Sequence, residues 1–358
     1  MSTMLLFILP NFNAGGAERA TVNIANGMVE RGYDVQLLVF SDMGPLAEVI
    51  HPEIVVHNLR KPRVRSVLFS LIRKIRQLGP THVFSTLAYV NVTLLAFRFA
   101  FQRGVKILIR EANMPSLSLS GTLGRRFLRL LCRLMYPTTD LLFVTSGRMR
   151  TECVELLGVS AHRIRMLRNP IRLDQIRASI GDVEFGSPNS RKFVAAGRLT
   201  HQKGFDRLLE VFSNPAFAED ELLVVGDGNL RNELQGLATS LGISDRVAFL
   251  GFQKNPWQVY GSGNVYLMPS RWEGMSNAAL EALACGLPVI ATPEAGGIAD
   301  LANICTPSAV TIAAIPEEFL QAMLKTKLPS SPMVGPSLLP PEFEVENVLN
   351  TFEHSIQD

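Results

Sequence analysis

Two glutamates, Glu273 and Glu281, stand eight residues apart in the stretch Arg271–Gly286, RWEGMSNAALEALACG, among small and apolar neighbours. Carboxylates in such surroundings are acceptors for the hydroxyls of a ribose or a sugar. Between them, the backbone N–H groups of Gly274, Met275, Ser276 and Asn277 lead into a helix predicted over Ala278–Cys285, capped by Ser276 or Asn277 and ended by Gly286. A helix N-terminus attracts anions. The spacing alone fits equally a capping acid followed by a solvated helix face. A second charged set lies in Gly197–Gly204, GRLTHQKG, where Arg198 and Lys203 bracket a loop that enters a helix. Two cations so placed can hold a diphosphate, each charged hydrogen bond contributing about 1.5–3 kcal/mol. Either cation alone reads as a surface salt bridge. Gly15–Gly16 and Gly226-Asp227-Gly228 are loops where a backbone can approach a ligand, because glycine has no Cβ. A tight turn is the plainer reading of the first, and a lone G-x-G is a weak signal.

Parallel strands and helices have to position these loops. Met4–Leu9 is a continuous apolar run of the kind buried parallel strands use. Asn11–Gly16 is a loop, Ala17–Glu30 has helical spacing, and Asp34–Phe40 is a second strand, which completes a βαβ unit. Further strands are predicted at His82–Ser85, Val105–Ile109 and Leu141–Thr145. Periodicity lapses at Gly181–Ser190, which places a domain boundary there. The alternation resumes with strands at Phe193–Ala196, Leu222–Val225, Val247–Leu250, Val265–Met268 and Val289–Ala291. The proline-rich segment after Lys325 is irregular, and a last helix covers Val345–Ile356. The expected architecture is α/β: two Rossmann-like, doubly wound domains, residues 1–180 and 181–340, facing a cleft, plus a C-terminal helix in 341–358. Every charged or glycine motif falls just after a predicted strand, on the rim of that cleft.

Composition and charge narrow the class. At 358 residues with 47% hydrophobic and 19% charged content, the chain reads as a soluble globular protein of two domains. Four cysteines, Cys132, Cys153, Cys285 and Cys305, have no metal-ligand spacing and suit a reducing cytoplasm. The N-terminus lacks the basic region of a secretory signal. The apolar stretch Phe84–Gln102 is interrupted by Asn91 and Arg98 and reads as a buried helix rather than a membrane span. The net charge of +3 conceals a division: residues 1–180 hold 24 Lys/Arg against 11 Asp/Glu, and residues 181–358 hold 11 against 21. Between Ile54 and Thr139 there are 15 basic residues and a single acid, Glu111. Such asymmetry implies an anionic partner for the first half.

The ordered set of motifs resembles the retaining, GT-B-fold glycosyltransferases of family 4. RWEGMSNAALEALACGLPVIATPEAGG is similar to their E-x7-E region, and NAGGAERATVNIANGMVERGYDV to their N-terminal glycine loop and first helix. GRLTHQKGFDRLLEVF, VVGDGNLRNELQ, LRNPI and VAFLGF match further landmarks in order, and the resemblance runs to about Asp300. It implies that Arg198 and Lys203 bind the donor diphosphate, Glu281 the nucleotide ribose and Glu273 the donor-sugar hydroxyls. Gly15 and Gly16 would close over the phosphates, and Gly274, Met275, Ser276 and Asn277 would line the sugar and phosphate site. Phe252 would lie near the base, with Asn169, Gly197 and Gly226 also on the donor. The family commonly works without a metal, and the absence of a D-x-D motif here is compatible with that. Where many relatives carry a histidine in the first-domain loop, this chain reads IREANMPS. Glu111 there is either near the reacting centre or a structural partner for Arg110 or another cation.

Two basic segments sharpen the partner. In Val64–Arg76, Arg65, Arg73 and Arg76 share a face opposite an apolar stripe. In Gly124–Met135, Arg125, Arg126, Arg129 and Arg133 stand on one side and Phe127, Leu130, Leu131 and Leu134 on another. Solvated helix faces usually mix signs; these hold no acids, as helices at anionic membrane surfaces do. Nucleic acid is the rival anion, but no nucleic-acid-binding motif is present. The expectation is a cytoplasmic enzyme, peripheral on the inner face of the membrane, that elongates a lipid-linked saccharide from a nucleotide sugar. An NAD-dependent oxidoreductase, with Asp42 after the second strand, a nucleotide-sugar epimerase and a non-catalytic nucleotide-sugar binder are the competing readings. NFNAGG in place of G-x-G-x-x-G weighs against the oxidoreductase.

Overall fold

The computed structural model describes residues 3–13, 15–41, 44–60, 64–181, 190–327 and 334–357, without the side chains of 64–66. The chain divides into two units, Met1–Pro170 with Val345–Asp358, and Ile171–Glu344. In the first, β1 (Met4–Leu9), β2 (Asp34–Val39), β3 (Val55–Asn58), β4 (His82–Ser85), β5 (Lys106–Arg110), β6 (Leu141–Val144) and β7 (Ile164–Met166) form one sheet. Its order is β3-β2-β1-β4-β5-β6-β7, and its pairs are parallel, with Leu5 opposite Val35 on one side and His82 on the other. In the second, β8 (Lys192–Ala196), β9 (Glu221–Val225), β10 (Val247–Gly251), β11 (Val265–Met268), β12 (Val289–Ala291) and β13 (Val310–Ile312) are ordered β10-β9-β8-β11-β12-β13. Both sheets are doubly wound: chain order reverses beside the first strand, between β1 and β4 and between β8 and β11. Such a switch point leaves a crevice beyond the carboxyl ends of the strands.

Side-chain alternation along the strands feeds a core on each face of each sheet. In the first unit Ile107, Ile109, Leu142 and Val144 pack with Val67, Leu71, Ile75 and Cys132 from the helices of one layer. Leu5, Phe7, Leu108 and Phe143 pack with Val22, Ile24 and Met28 of the helix Gly16–Glu30 on the other. The Phe84–Gln102 stretch is the end of β4, the helix Ala88–Ala96 and a short turn at Arg98–Ala100. Among the described residues no helix is long and apolar enough to cross a membrane.

The observed units differ from the expected boundaries at two places. The helix Leu173–Ile180 belongs to the second unit, because its Ile176 and Ile180 are buried among Tyr260, Leu283 and Ala284. Of the lapse in periodicity used to set the boundary, Gly181–Ser190, residues 182–189 lie outside the described residues. The last helix, Val345–Gln357, is part of the first unit. Its Phe352 ring sits 5.6–5.9 Å from the rings of Phe7, Phe84 and Phe143. Arg31 fastens it from the helix Gly16–Glu30 side, 2.8 Å from Glu346 and 2.7 Å from Glu353. An apolar stripe goes to whichever face is unfilled, and linear order does not reveal which.

The helix Leu123–Met135 turns Cys132 inward, with Leu128, Leu131 and Met135 partly buried. Phe127, Leu130 and Leu134, three of the four residues read as one apolar side, are exposed.

Candidate active site

The loops after β8 and β11, neighbours at the switch point of the second unit, are fastened together by side chains and backbone. Arg271 N–H donates to the Gln202 carbonyl at 2.8 Å, and Gln202 Nε2 returns a bond to the Trp272 carbonyl at 3.0 Å. The Arg271 guanidinium grips Asp206 with two bonds, 2.8 and 2.5 Å. That pairing holds the Asp206 carboxyl below its ordinary range. Arg207 Nε reaches the Pro269 carbonyl at 2.7 Å, and Thr292 Oγ1 donates to the Ser270 carbonyl at 2.6 Å. Gln202, Asp206, Arg207, Arg271 and Thr292 went unnoticed in the sequence, because all but Asp206 act through backbone groups whose positions only the fold supplies.

The result is that Lys203 Nζ lies 2.5 Å from Glu273 Oε1. Glu273 is buried, and its Oε1 makes no directed hydrogen bond beyond this ion contact. Ser276, rather than Asn277, caps the helix Asn277–Ala284, its Oγ accepting from Ala279 N–H at 3.4 Å. Glu281 is buried in that helix. The two acids meet electrostatically at Tyr266: burial first, then the charges of Glu273 and Glu281, push its hydroxyl pKa upward. Tyr266 in turn donates to the Ala196 carbonyl at the end of β8, 2.9 Å away. Cys285, one turn beyond Glu281, has its thiol pushed up to about 12 by burial and by that carboxylate. Lys203 and Glu273 thus meet at the carboxyl ends of β8 and β11, and Tyr266 feels the charges of both Glu273 and Glu281. Arg198, in the same loop as Lys203, is exposed.

The glycine loops are occupied by the protein itself. Gly197 N–H donates to the Val225 carbonyl at 3.0 Å, and Leu199 N–H to the Asp227 carbonyl at 2.9 Å. Gly226 adopts φ +126°, and a Cβ there would strike the Gly197 carbonyl. Its lack of a side chain therefore serves the packing of one loop on the next. Gly274 accepts from Gly297 N–H at 2.6 Å, and Met275 is buried against the second core. Phe252 presents an exposed ring just beyond β10. In the first unit, Gly15 caps the helix Gly16–Glu30 with an ordinary extended backbone, φ −70° and ψ 153°. The space a Cβ would take there is filled by the carboxylate of Glu18, an acid the sequence reading passed over.

Arg110 and Glu111 diverge. Arg110 ends β5 opposite Phe143, and its fully buried guanidinium donates to Asn169 Oδ1 at 2.5 Å while its Nε has no partner. Burial lowers its pKa to about 10. Glu111 accepts from the Tyr136 hydroxyl, which itself accepts from Asn91 Nδ2 at 3.1 Å. Asn91 also accepts from Ser85. Burial raises the Glu111 carboxyl to about 7. Its partner is therefore a phenol and not Arg110. Asn169 is held by Arg110 within the first unit.

Of the basic residues, Arg73, Arg76, Arg125, Arg126 and Arg133 are exposed and Arg129 is half-buried. The Arg65 side chain and Asp42 lie outside the described residues. Among the described residues no group of three or more His, Cys, Asp or Glu side chains is arranged to hold a metal. A recess lined by Arg191, Pro215, Asp220 and Thr326 lies at the amino end of β8, opposite to the end that carries Lys203.

Comparison with known proteins finds glycosyltransferases. The model of Glycosyltransferase Family 4 matches residues 14–175, and that of Glycosyl transferases group 1 matches residues 182–304. An uncharacterized glycosyltransferase of Haemophilus influenzae is 27% identical over 304 residues, covering 84% of this chain and 83% of its own. The Campylobacter jejuni N-acetylgalactosamine-N,N'-diacetylbacillosaminyl-diphospho-undecaprenol 4-alpha-N-acetylgalactosaminyltransferase is 26% identical over 314 residues, with 84% and 83% coverage. The crystal structure of Anabaena HepE in complex with UDP and glucose shares the fold, with TM-score 0.78, 18% identity and 99% coverage of both chains.

Proposed function

We propose, for a chain that belongs to the family 4 type of GT-B-fold glycosyltransferases, that it transfers a hexosyl or N-acetylhexosaminyl group from a nucleoside-diphosphate sugar to a lipid-linked saccharide, with retention of configuration. The observation that carries this reading is the Lys203–Glu273 contact of 2.5 Å at the β8/β11 switch point, with Glu281 buried one turn inside the helix Asn277–Ala284 that follows. A cation, a hydroxyl-binding acid and a ribose-binding acid at one crevice match, in order, the diphosphate, sugar and ribose of such a donor. Lys203 and Arg198 stabilise the charge that grows on the outer phosphate as the bond to the anomeric carbon breaks, and they do so most in the transition state. The acceptor hydroxyl attacks from the same face; the bonding pair stays on the leaving phosphate, which takes the hydroxyl proton. Lys203 and Arg198 supply the positive charge that a metal would otherwise bring, so transfer proceeds without one.

Lipid-linked acceptors are supported by relatives named for them, the Campylobacter diphospho-undecaprenol enzyme among these. The excess of basic residues in 1–180 suits the phosphates of such an acceptor and the anionic membrane that carries it. The acceptor is thus bound by the first unit and the donor by the second, in an enzyme peripheral on the cytoplasmic face. The test is a thermal-shift screen of nucleotide sugars, then transfer from the best donor to a polyprenyl-diphosphate saccharide with chelator present and the product's anomeric configuration read by NMR. An α product from an α donor, formed with chelator, is expected. Sugar interconversion without an acceptor would establish an epimerase instead.

A further inference from the structure

The buried ion pairs Arg191–Asp220 and Lys203–Glu273 of the second unit are built differently. Their side chains are 17% and 5% exposed in the first pair, 17% and 10% in the second. The Asp220 carboxylate is saturated. It accepts from the Arg191 backbone N–H at 2.8 Å, from Nε at 3.1 and 3.0 Å and from Nη2 at 2.5 Å. Lys203 and Glu273 meet through one ion contact of 2.5 Å, and Glu273 Oε1 has no directed hydrogen bond. Their backbones are held in place. The Lys203 stem lies across Gly197, where a Cβ would come within 3.0 Å of its Cε. A Cβ at Gly296, φ +64°, would strike the Glu273 carbonyl, and Gly297 N–H donates to the Gly274 carbonyl at 2.6 Å. What can change is the partner each side chain takes. A lysine ammonium is a rotatable point charge and exchanges anions more readily than an arginine fork.

A diphosphate that takes Lys203 leaves Glu273 a buried charge without its counter-ion, which is costly unless another donor replaces the ammonium. The hydroxyls of a sugar are such donors. An intact nucleoside-diphosphate sugar therefore brings a new partner to each member of the pair, an anion for Lys203 and hydroxyls for Glu273. The nucleoside diphosphate that transfer leaves behind brings the anion alone. We propose that Glu273 is a specificity-determining residue that competes with the diphosphate for Lys203, so that the site holds the sugar nucleotide and rejects the nucleoside diphosphate product. The inference rests on the donor reading above and adds a direction to it. One carboxylate receives the sugar and, once the sugar has left, reclaims the lysine and releases the product. Charge alone would do the opposite, because the free diphosphate carries about one more negative charge than the sugar nucleotide at neutral pH.

Titration calorimetry of the full chain with UDP, GDP and ADP, and with the hexose and N-acetylhexosamine nucleotides of the same bases, tests this. The parent is expected to bind its sugar nucleotide at least as tightly as the matching nucleoside diphosphate. Glu273→Gln keeps the shape and removes the charge. It should bind the nucleoside diphosphate about tenfold or more tightly than the parent does, and product inhibition should deepen to match. Its affinity for the sugar nucleotide should change far less, while turnover falls. In the background Lys203→Ala the same substitution should lose most of its gain, because the contested cation is gone. A parent that prefers the nucleoside diphosphate by about tenfold overturns the inference, whether or not the variant folds. So does a Glu273→Gln protein with the circular dichroism of the parent and the parent's preference between the two ligands. The pair would then be a structural tie like that of Arg191 with Asp220. A gain undiminished by Lys203→Ala overturns it too, since Glu273 would then act by repulsion and not by competing for the lysine. Failure of the parent to bind any of these nucleotides counts against the donor reading itself and takes the inference with it.

Discussion

Each unit places charged residues at the carboxyl ends of its strands, and the two treat them in opposite ways. In the second unit a lysine and a glutamate 70 positions apart come from two loops and meet at 2.5 Å. In the first, Arg110 and Glu111 are adjacent in sequence and do not pair. Strand alternation sends them to opposite faces of the sheet, where each finds a neutral partner, Asn169 for one and Tyr136 for the other. Burial without a counter-ion then drives both toward neutrality, the guanidinium down to about 10 and the carboxyl up to about 7. Loop-borne charges can converge on a ligand; charges issuing from a strand end become part of the layer they enter.

The largest effect is expected where the charges do converge. Lys203→Ala should lower turnover on the order of 10²–10³-fold, as losing one preorganised transition-state partner does. Glu281→Ala should likewise lose most turnover. Both proteins should keep the far-UV circular dichroism of the parent. Near-normal transfer by Lys203→Ala would reduce the Lys203–Glu273 pair to a structural tie of the kind Arg31 makes with Glu353, and near-normal transfer by Glu281→Ala would remove its ribose-binding role.

How much of this was legible in the linear chain depended on what each element is buried against. The strands read most closely, Met4–Leu9, His82–Ser85, Val265–Met268 and Val289–Ala291, are covered on both faces, and all but His82–Ser85 are apolar throughout. The three that escaped, β3, β7 and β13, are all sheet edges, short and partly open to solvent. An edge strand needs fewer apolar residues, so its pattern fades. Lys203 and Glu273, which the structure brings together, stood out in the sequence because acids and bases among small residues after a strand have few structural uses. The braces around them, Gln202, Asp206, Arg207, Arg271 and Thr292, did not, because their partners are largely carbonyl oxygens that have no signature in sequence. The exposed row on Leu123–Met135 was hidden by its own strength: amphipathic spacing shows that a helix has an apolar side, and not whether anything covers it.

A second, smaller effect would sharpen the contrast from the first unit. With its carboxyl raised from 4.5 to about 7 by burial, Glu111 favours the folded state while protonated. That contribution is complete below pH 4.5 and is lost as pH rises through about 7, reaching about 3 kcal/mol at its limit. Glu111→Gln keeps the shape and removes the titration. Plotted against pH, the difference in unfolding free energy between variant and parent should climb by about 3 kcal/mol from acid to pH 8. The buried His82, whose pKa burial lowers, is common to both proteins and cancels from that difference. Transfer activity measured on the same variant separates the two roles of Glu111: activity within a few-fold of the parent marks a buried structural acid, and a loss of two orders of magnitude marks a group that meets the substrate.

The smallest effects compare two glycines that the sequence presents alike. Gly226 has φ +126° and a backbone carbonyl, that of Gly197, where its Cβ would go. Neither the strain nor the clash can be relieved without moving a loop, so Gly226→Ala should cost on the order of 1–3 kcal/mol. Gly15 has a backbone any residue adopts, and its obstacle is the far end of the flexible Glu18 side chain. Gly15→Ala gains about 0.4–1 kcal/mol from a less disordered unfolded chain and forfeits a similar amount if the carboxylate swings away. Its net effect on urea unfolding should be near zero, and in the background Glu18→Ala it should turn weakly stabilising. A Gly15→Ala protein of parental stability that no longer transfers sugar would show the space above Gly15 to be wanted by a ligand, with Glu18 yielding it on binding. Unchanged transfer would leave Glu18 as the whole reason for the glycine.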